Sequence, residues 1–269
     1  MTEYKCSDLD LKKIAESGQC FRMNEEGEGK YKLVAFGRLL RLEQKGPGEV
    51  VFNCPEAEFE SIWRDYFDLN ADYAAYRASV DPDDIFLTEA AEEGKGIRIL
   101  RQDPWETLIT FIISQRKNIP AIKACVEALC RRFGKPLDEE GVFAFPEPED
   151  LACADETCLK DCSLGYRVPY VSKAARMVCD GAIDLNALKT LDDGPLLEAL
   201  MTVPGVGPKV GNCVSLFAYH RIAAFPIDVW IGRMLEQHYG GVFPLERYEG
   251  YAGIMQQYIF YHALMSKKV

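Results

Sequence analysis

The sequence predicts an α+β protein in which a small β-containing N-terminal domain precedes an all-helical one. Three observations carry that prediction. The first 55 residues hold short apolar or alternating runs parted by glycines at 27, 29, 37, 46 and 48, as in an antiparallel meander. Near Pro55 the hydrophobic period lengthens from that of a strand to that of a helix. From Gly96 onward nearly every segment follows the helical period.

The expected strands are Tyr31–Phe36, Leu39–Glu43 and Val50–Cys54. Phe59, Ile62, Trp63, Tyr66 and Phe67 then share one helical face, and Tyr73, Tyr76 and Val80 continue a second helix. Asp103-Pro104 opens a strongly apolar helix, with Asp as N-cap and Pro at the first position. Another helix starts at Pro120, carries Ile122, Val126, Leu129 and Phe133, and stops at Gly134. Further helices are expected over 148–164, 168–179, 184–191 and 195–202. The domains so drawn are residues 1–95 and 96–269, with a helical hairpin at 196–215.

Composition narrows the function classes. The chain has 269 residues, 48% of them hydrophobic and 27% charged, which suits a globular protein rather than a disordered one. No apolar run reaches the ~18–20 residues needed to span a bilayer, and Met1–Cys6 has no basic head before an apolar run, so no membrane or export is expected. The ten cysteines are scattered; Cys153, Cys158 and Cys162 form no Cys-x-x-Cys pair, so reduced thiols are expected rather than a metal centre. A net charge of −11 argues against a general nucleic-acid coat protein. Basic residues nevertheless gather between Arg98 and Lys135 and again at Arg167, Lys173 and Arg176, which leaves room for a local phosphate-binding face.

The chemistry-bearing segment is 196–239. An apolar helix ends before Val203-Pro204-Gly205-Val206-Gly207, and Pro208 begins the next. Two glycines spaced so closely leave backbone amides uncovered at a helix N-terminus, where a phosphate oxygen is well received. Lys209 stands in the first turn of the second helix, where the dipole disfavours a cation. That placement suits an amine that must be neutral to attack carbon, and equally a lysine that holds phosphate. Asp228 precedes an apolar-periodic helix with Ile231, Met234 and Leu235. It reads as an N-cap, a catalytic carboxylate, or both.

Val203–Cys213 followed by Phe225–Trp230 resembles the helix-hairpin-helix, Gly/Pro-rich loop and aspartate pattern of base-excision DNA glycosylases. The lysine places it with the bifunctional branch, and no cysteine follows Cys213, so the iron–sulfur loop of endonuclease III relatives is absent. Ser17–Arg22, Tyr66–Leu69, Gly96–Pro104, Leu164–Arg167 and Tyr251–Gly253 each resemble the 8-oxoguanine DNA glycosylase family. That resemblance implies a TBP-like N-terminal sheet and a helical domain that kinks the duplex and flips the damaged nucleotide.

Lys209 would then be the nucleophile and Asp228 its essential carboxylate, with no cofactor. Carried over by position, Gly18 would offer its carbonyl to the N7–H of the oxidised base, Cys213 and Phe260 would sandwich it, Gln256 would read its Watson–Crick edge, and Pro226 would line the pocket. Tyr166 would wedge into the stack, Arg167 would meet the widowed cytosine, and Gly205 and Gly207 would hold phosphate. The backbone of Met201, Val203 and Val206 would hold a structural cation. The pattern is broken at Arg116, where the family has a space-filling asparagine, and at Ala121, where it has a cytosine-reading arginine; Trp230 replaces a phosphate-binding histidine of eukaryotic members. The resemblance implies a monomer acting on double-stranded DNA containing 8-oxoguanine, in a bacterial cytoplasm at the nucleoid. An endonuclease III-like lyase without the cluster, and a non-catalytic duplex-binding module, remain open from the residues alone.

Overall fold

A computed structural model of the chain describes residues 1–138 and 140–266. Five strands form one antiparallel sheet: β1 (Thr2–Lys5), β2 (Met23–Gly27), β3 (Lys30–Ala35), β4 (Arg38–Gly46) and β5 (Glu49–Phe52), in the order β1-β5-β4-β3-β2. Leu33 faces Leu40 and Leu42 faces Phe52 across the ladders, so one face turns apolar side chains inward. The first and second strands were absent from the sequence reading because their own residues are polar. Their order comes from partners: Thr2 pairs with Phe52, and Met23 with Leu33. Phe36, expected to end a strand, sits in the turn instead. Phe36 and Gly37 have φ of 52° and 66°, the double left-handed geometry of a two-residue hairpin turn. Cys54 likewise falls outside β5.

Against the sheet pack α1 (Leu11–Glu16) and a helix in three parts, Glu56–Glu58, a π-type turn Phe59–Trp63 and Arg64–Tyr66, here α2. Leu11, Ile14, Phe59, Trp63 and Phe67 join Leu33, Leu42 and Phe52 in one buried cluster. Each such side chain contributes ~1.5–3 kcal/mol by leaving water.

The remaining helices are α3 (Tyr73–Ala78), α4 (Ile85–Glu93), α5 (Pro104–Ser114), α6 (Ile119–Phe133), α7 (Pro148–Ala152), α8 (Glu156–Asp161), α9 (Val168–Cys179), α10 (Asp193–Met201), α11 (Pro208–Phe217), α12 (Val229–Tyr239) and α13 (Ala252–Met265). Asp103 caps α5 by accepting from the Glu106 N–H at 2.8 Å, and Asn118 caps α6. The single helix expected over 148–164 is two. Asp155 caps a fresh start by accepting the Thr157 N–H at 2.7 Å, which resets the backbone after Cys153. The helix expected over 184–191 is only a 3₁₀ turn, Ala187–Thr190. There the Asp184 carboxylate takes the N–H groups of Asn186 and Ala187, a local bond that competes with a longer helix. Val80 lies beyond α3, and α4, rich in acid, escaped the sequence reading. Among the described residues, no helix is long and apolar enough to cross a membrane.

Candidate active site

The seam between sheet and helices fixes the loop that carries Gly18. Gln19 is fully buried; its amide donates to the Arg98 carbonyl and accepts from the Leu100 N–H, both at 2.9 Å. Gln102 in turn donates to the Gln19 carbonyl at 2.8 Å. Gly18 itself has φ +72°, and a Cβ there would lie 3.0 Å from the Phe260 ring. Glycine is therefore required twice over, by backbone conformation and by the ring beside it.

The hairpin folds as its sequence asks. The Val203 N–H donates to the Leu200 carbonyl and the Val206 N–H to the Val203 carbonyl. Gly205 takes φ +87°, and a Cβ on it would fall 2.7 Å from the Tyr170 ring. Gly207 is the extended N-cap of α11, with open space where a Cβ would stand. The carbonyls of Met201 and Val206 accept no backbone hydrogen bond among the described residues, so with Val203 they are neutral oxygen donors of the kind a hard cation takes.

Lys209 is half-buried one step into α11, its Nζ 5.2 Å from the centre of the Phe111 ring. Asp228 caps α12: its Oδ1 accepts from the Trp230 N–H at 2.9 Å and the Ile231 N–H at 2.8 Å. Its Oδ2 makes no hydrogen bond among the described residues. Capping and a free oxygen toward a cleft thus belong to the same side chain. That cleft is lined by Gly18, Lys209, Cys213, Pro226, Asp228, Gln256 and Phe260 together with Phe111, Phe217 and Gln257. All seven pocket positions named from sequence meet there, although they span residues 18 to 260.

Burial pushes the Cys213 thiol up, and Asp228 adds to the rise while Lys209 opposes it. A protonated thiol is a poor nucleophile, and its polarisable sulfur lines the cleft. The Gln256 amide is fixed at both ends: its nitrogen donates to the Pro226 carbonyl at 3.0 Å and its oxygen accepts from Gln257 at 3.2 Å. Phe111 and Phe217 were not among the site residues named from sequence. They stack at 5.5 Å with planes 15° apart beneath the lysine. The signal was present, since Lys209, Cys213 and Phe217 recur every fourth residue on one face of α11.

The residues expected to face DNA lie apart from the cleft and are not alike. Tyr166 is 51% exposed and meets Tyr170 edge-on. Arg116 is exposed with φ +53°. Trp230 carries the Arg233 guanidinium 5.1 Å from its ring. Arg167 differs: it is only 5% exposed, donates to the carbonyls of Leu164 and Gln115, and lies over the Tyr166 ring at 4.3 Å. Its guanidinium thus faces inward, onto main-chain carbonyls.

Comparisons with known proteins agree with this geometry. Residues 2–108 match the N-terminal domain of 8-oxoguanine DNA glycosylase, and residues 109–242 match the helix-hairpin-helix-GPD superfamily of base excision DNA repair proteins. The N-glycosylase/DNA lyase of Saccharomyces cerevisiae is 35% identical over 159 residues, 54% of this chain and 42% of the yeast protein's length. The solved structure of MBOgg1 with a low-affinity DNA ligand superposes with a TM-score of 0.93 at 38% identity, covering 99% of this chain and 97% of that one. The Clostridium acetobutylicum 8-oxoguanine glycosylase/lyase, bound to double-stranded DNA with cytosine opposite 8-oxoG, gives 0.90 at 34% identity over 97% of this chain and 93% of its own. With matching domains at both ends and near-complete superposition on relatives above 30% identity, this chain belongs to the 8-oxoguanine DNA glycosylase family.

Proposed function

We propose that the chain is a bifunctional DNA glycosylase and abasic-site lyase that removes 8-oxoguanine from duplex DNA during base excision repair. The observation that carries this reading is the convergence of an amine, a carboxylate with an uncommitted oxygen, and the Phe260 ring facing Gly18 in one cleft. A base enters such a cleft only after leaving the helix, at a cost of a few kcal/mol. Phe260 and Cys213 are its two walls, the Gly18 carbonyl accepts the N7–H that guanine lacks, and Gln256, steadied by Pro226, reads the far edge. The tight Gly18–Phe260 approach favours this division, because it leaves no side chain between backbone and base.

In the reaction, the neutral Lys209 amine forms a bond to C1′ as the C1′–N9 bond breaks, and the electron pair leaves with the base. Charge building on the sugar is stabilised by Asp228. The amine gives up its protons, one of which can follow the base, and ring opening yields an imine on Lys209. Loss of a C2′ proton then expels the 3′ phosphate and cuts the strand. Gly205 and Gly207 hold a backbone phosphate through uncovered amides, and a cation on the Met201, Val203 and Val206 carbonyls would add positive charge there. Tyr166 fills the stack; Arg116, Arg167 and Trp230 contact the surrounding backbone and opposite strand. The enzyme works as a monomer on chromosomal DNA in a bacterial cytoplasm, a setting that suits ten unpaired thiols. The domains meet near residue 95.

Borohydride trapping on duplexes with 8-oxoguanine opposite each of the four bases tests the chemistry. A covalent adduct is expected with the native chain and none with Lys209→Gln, which should still bind the duplex. Normal excision by that variant would remove Lys209 from the mechanism.

A further inference from the structure

One residue that the reading above does not use ties together, through its side chain and its main-chain carbonyl, three segments it assigns to DNA. Gln115 follows the last residue of α5, and its Nε2 donates to the Gly205 carbonyl of the hairpin at 3.0 Å and to the Ile112 carbonyl at 3.1 Å. Its own carbonyl accepts from the Arg167 guanidinium, next to Tyr166. The next residue is Arg116 in the left-handed region, so the backbone turns sharply there. A second route runs beside this one: Tyr166 touches Tyr170 edge-on, and the Tyr170 ring fills the space a Cβ on Gly205 would occupy.

We propose that Gln115 is a positioning residue that sets the distance between the hairpin and the Tyr166 wedge, and so couples the grip on the backbone to extrusion of the base. The inference rests on the glycosylase reading above. The hairpin holds the damaged strand, while the wedge must enter the stack as the nucleotide leaves. Those two parts are joined through aromatic contact, which tolerates sliding, and through Gln115, whose hydrogen bonds have direction. Gln115 is the geometric half of the link. A leucine at 115 keeps similar bulk and deletes both donors. A glutamate keeps the shape, deletes the donors and sets a carboxylate against the Gly205 carbonyl.

The test separates extrusion from chemistry. Stopped-flow fluorescence of 2-aminopurine beside 8-oxoguanine reports unstacking, single-turnover assays report excision, and a preformed abasic duplex reports strand cleavage with no base to extrude. For Gln115→Leu, extrusion and excision are expected to fall about tenfold or more, the scale of a small misplacement. Cleavage at the abasic site, where little stacking opposes flipping, should stay within about threefold. The melting temperature should move by no more than about 3 °C. Gln115→Glu should match or exceed the loss. Extrusion unchanged in both variants, or abasic cleavage falling in step with excision, would overturn the proposal. A native chain that neither excises 8-oxoguanine nor cuts abasic DNA would overturn the reading beneath it instead.

Discussion

The seam around Arg98 and the cleft around Lys209 both place polar side chains out of bulk water, and they treat them in opposite ways. Arg98, 1% exposed, donates to the carbonyls of Phe67, Asp8, Asp68 and Ala71, and its guanidinium lies 4.2 Å from the centre of the Tyr73 ring. The Tyr73 hydroxyl donates to Asp68 and accepts from the Ile99 N–H. Every part of that network has a partner. In the cleft, the second Asp228 oxygen carries no hydrogen bond among the described residues, and the buried Gln257 Oε1 has no partner there. Unpaired polar groups are costly inside a fold. The Arg98 network is closed on itself, whereas the cleft keeps an acceptor open to a ligand; other buried atoms without a hydrogen-bond partner, among them His220 Nδ1 and the Tyr258 hydroxyl, lie outside the cleft lining.

The largest separation should come from Arg98→Met. It strands four carbonyls, three of them in buried hydrogen bonds, and should cost on the order of 4 kcal/mol in urea unfolding. Lys209→Gln, expected to abolish trapping, should leave the unfolding midpoint almost unmoved; a comparable stability loss in the two variants would erase the contrast. Next comes Asp228, where the two roles can be divided. Asparagine is nearly as good an N-cap, so Asp228→Asn should keep stability yet lose about 10²-fold or more in excision rate. Asp228→Ala should show the same kinetic loss and in addition about 1 kcal/mol of stability. Full activity in the asparagine variant would leave the cap as this residue's whole role.

The smallest effect concerns acid. Burial works to raise the Asp68 pKa, but the hydrogen bonds and charges of His220 and Arg101 outweigh it and hold the carboxyl below its ordinary value. A depressed carboxylate lends stability above the unfolded pKa near ~3.9 and loses it as pH falls through the lower folded value. Asp68→Asn should therefore flatten the acid limb of a stability–pH curve below about pH 4. An unchanged limb would show that other carboxylates govern acid unfolding.

How much was legible in advance divides along similar lines. The Asp103 cap, the Gly134 stop, the 196–215 hairpin and the helix 168–179 were readable because their determinants are local: caps, breakers and period. β1 and β2 were not, since their order is supplied by β5 and β3 rather than by their own polar residues. The resemblance named pocket residues that periodicity alone would have left in the core, notably Phe260, which sits among Tyr258, Ile259 and Tyr261. Gln115 escaped both approaches. Its side chain bonds a backbone carbonyl ninety positions further along the chain, and nothing in its neighbours announces that bond.

Gly18 and Phe260 stand at opposite ends of the sequence yet touch in the finished cleft. Phe260 belongs to α13, whose Ile254, Met255, Tyr258 and Ile259 are buried in the helical core. The cleft is therefore complete only when residues from the two ends of the chain have met, and a chain that stops short of α13 lacks both that lining and the core beneath it.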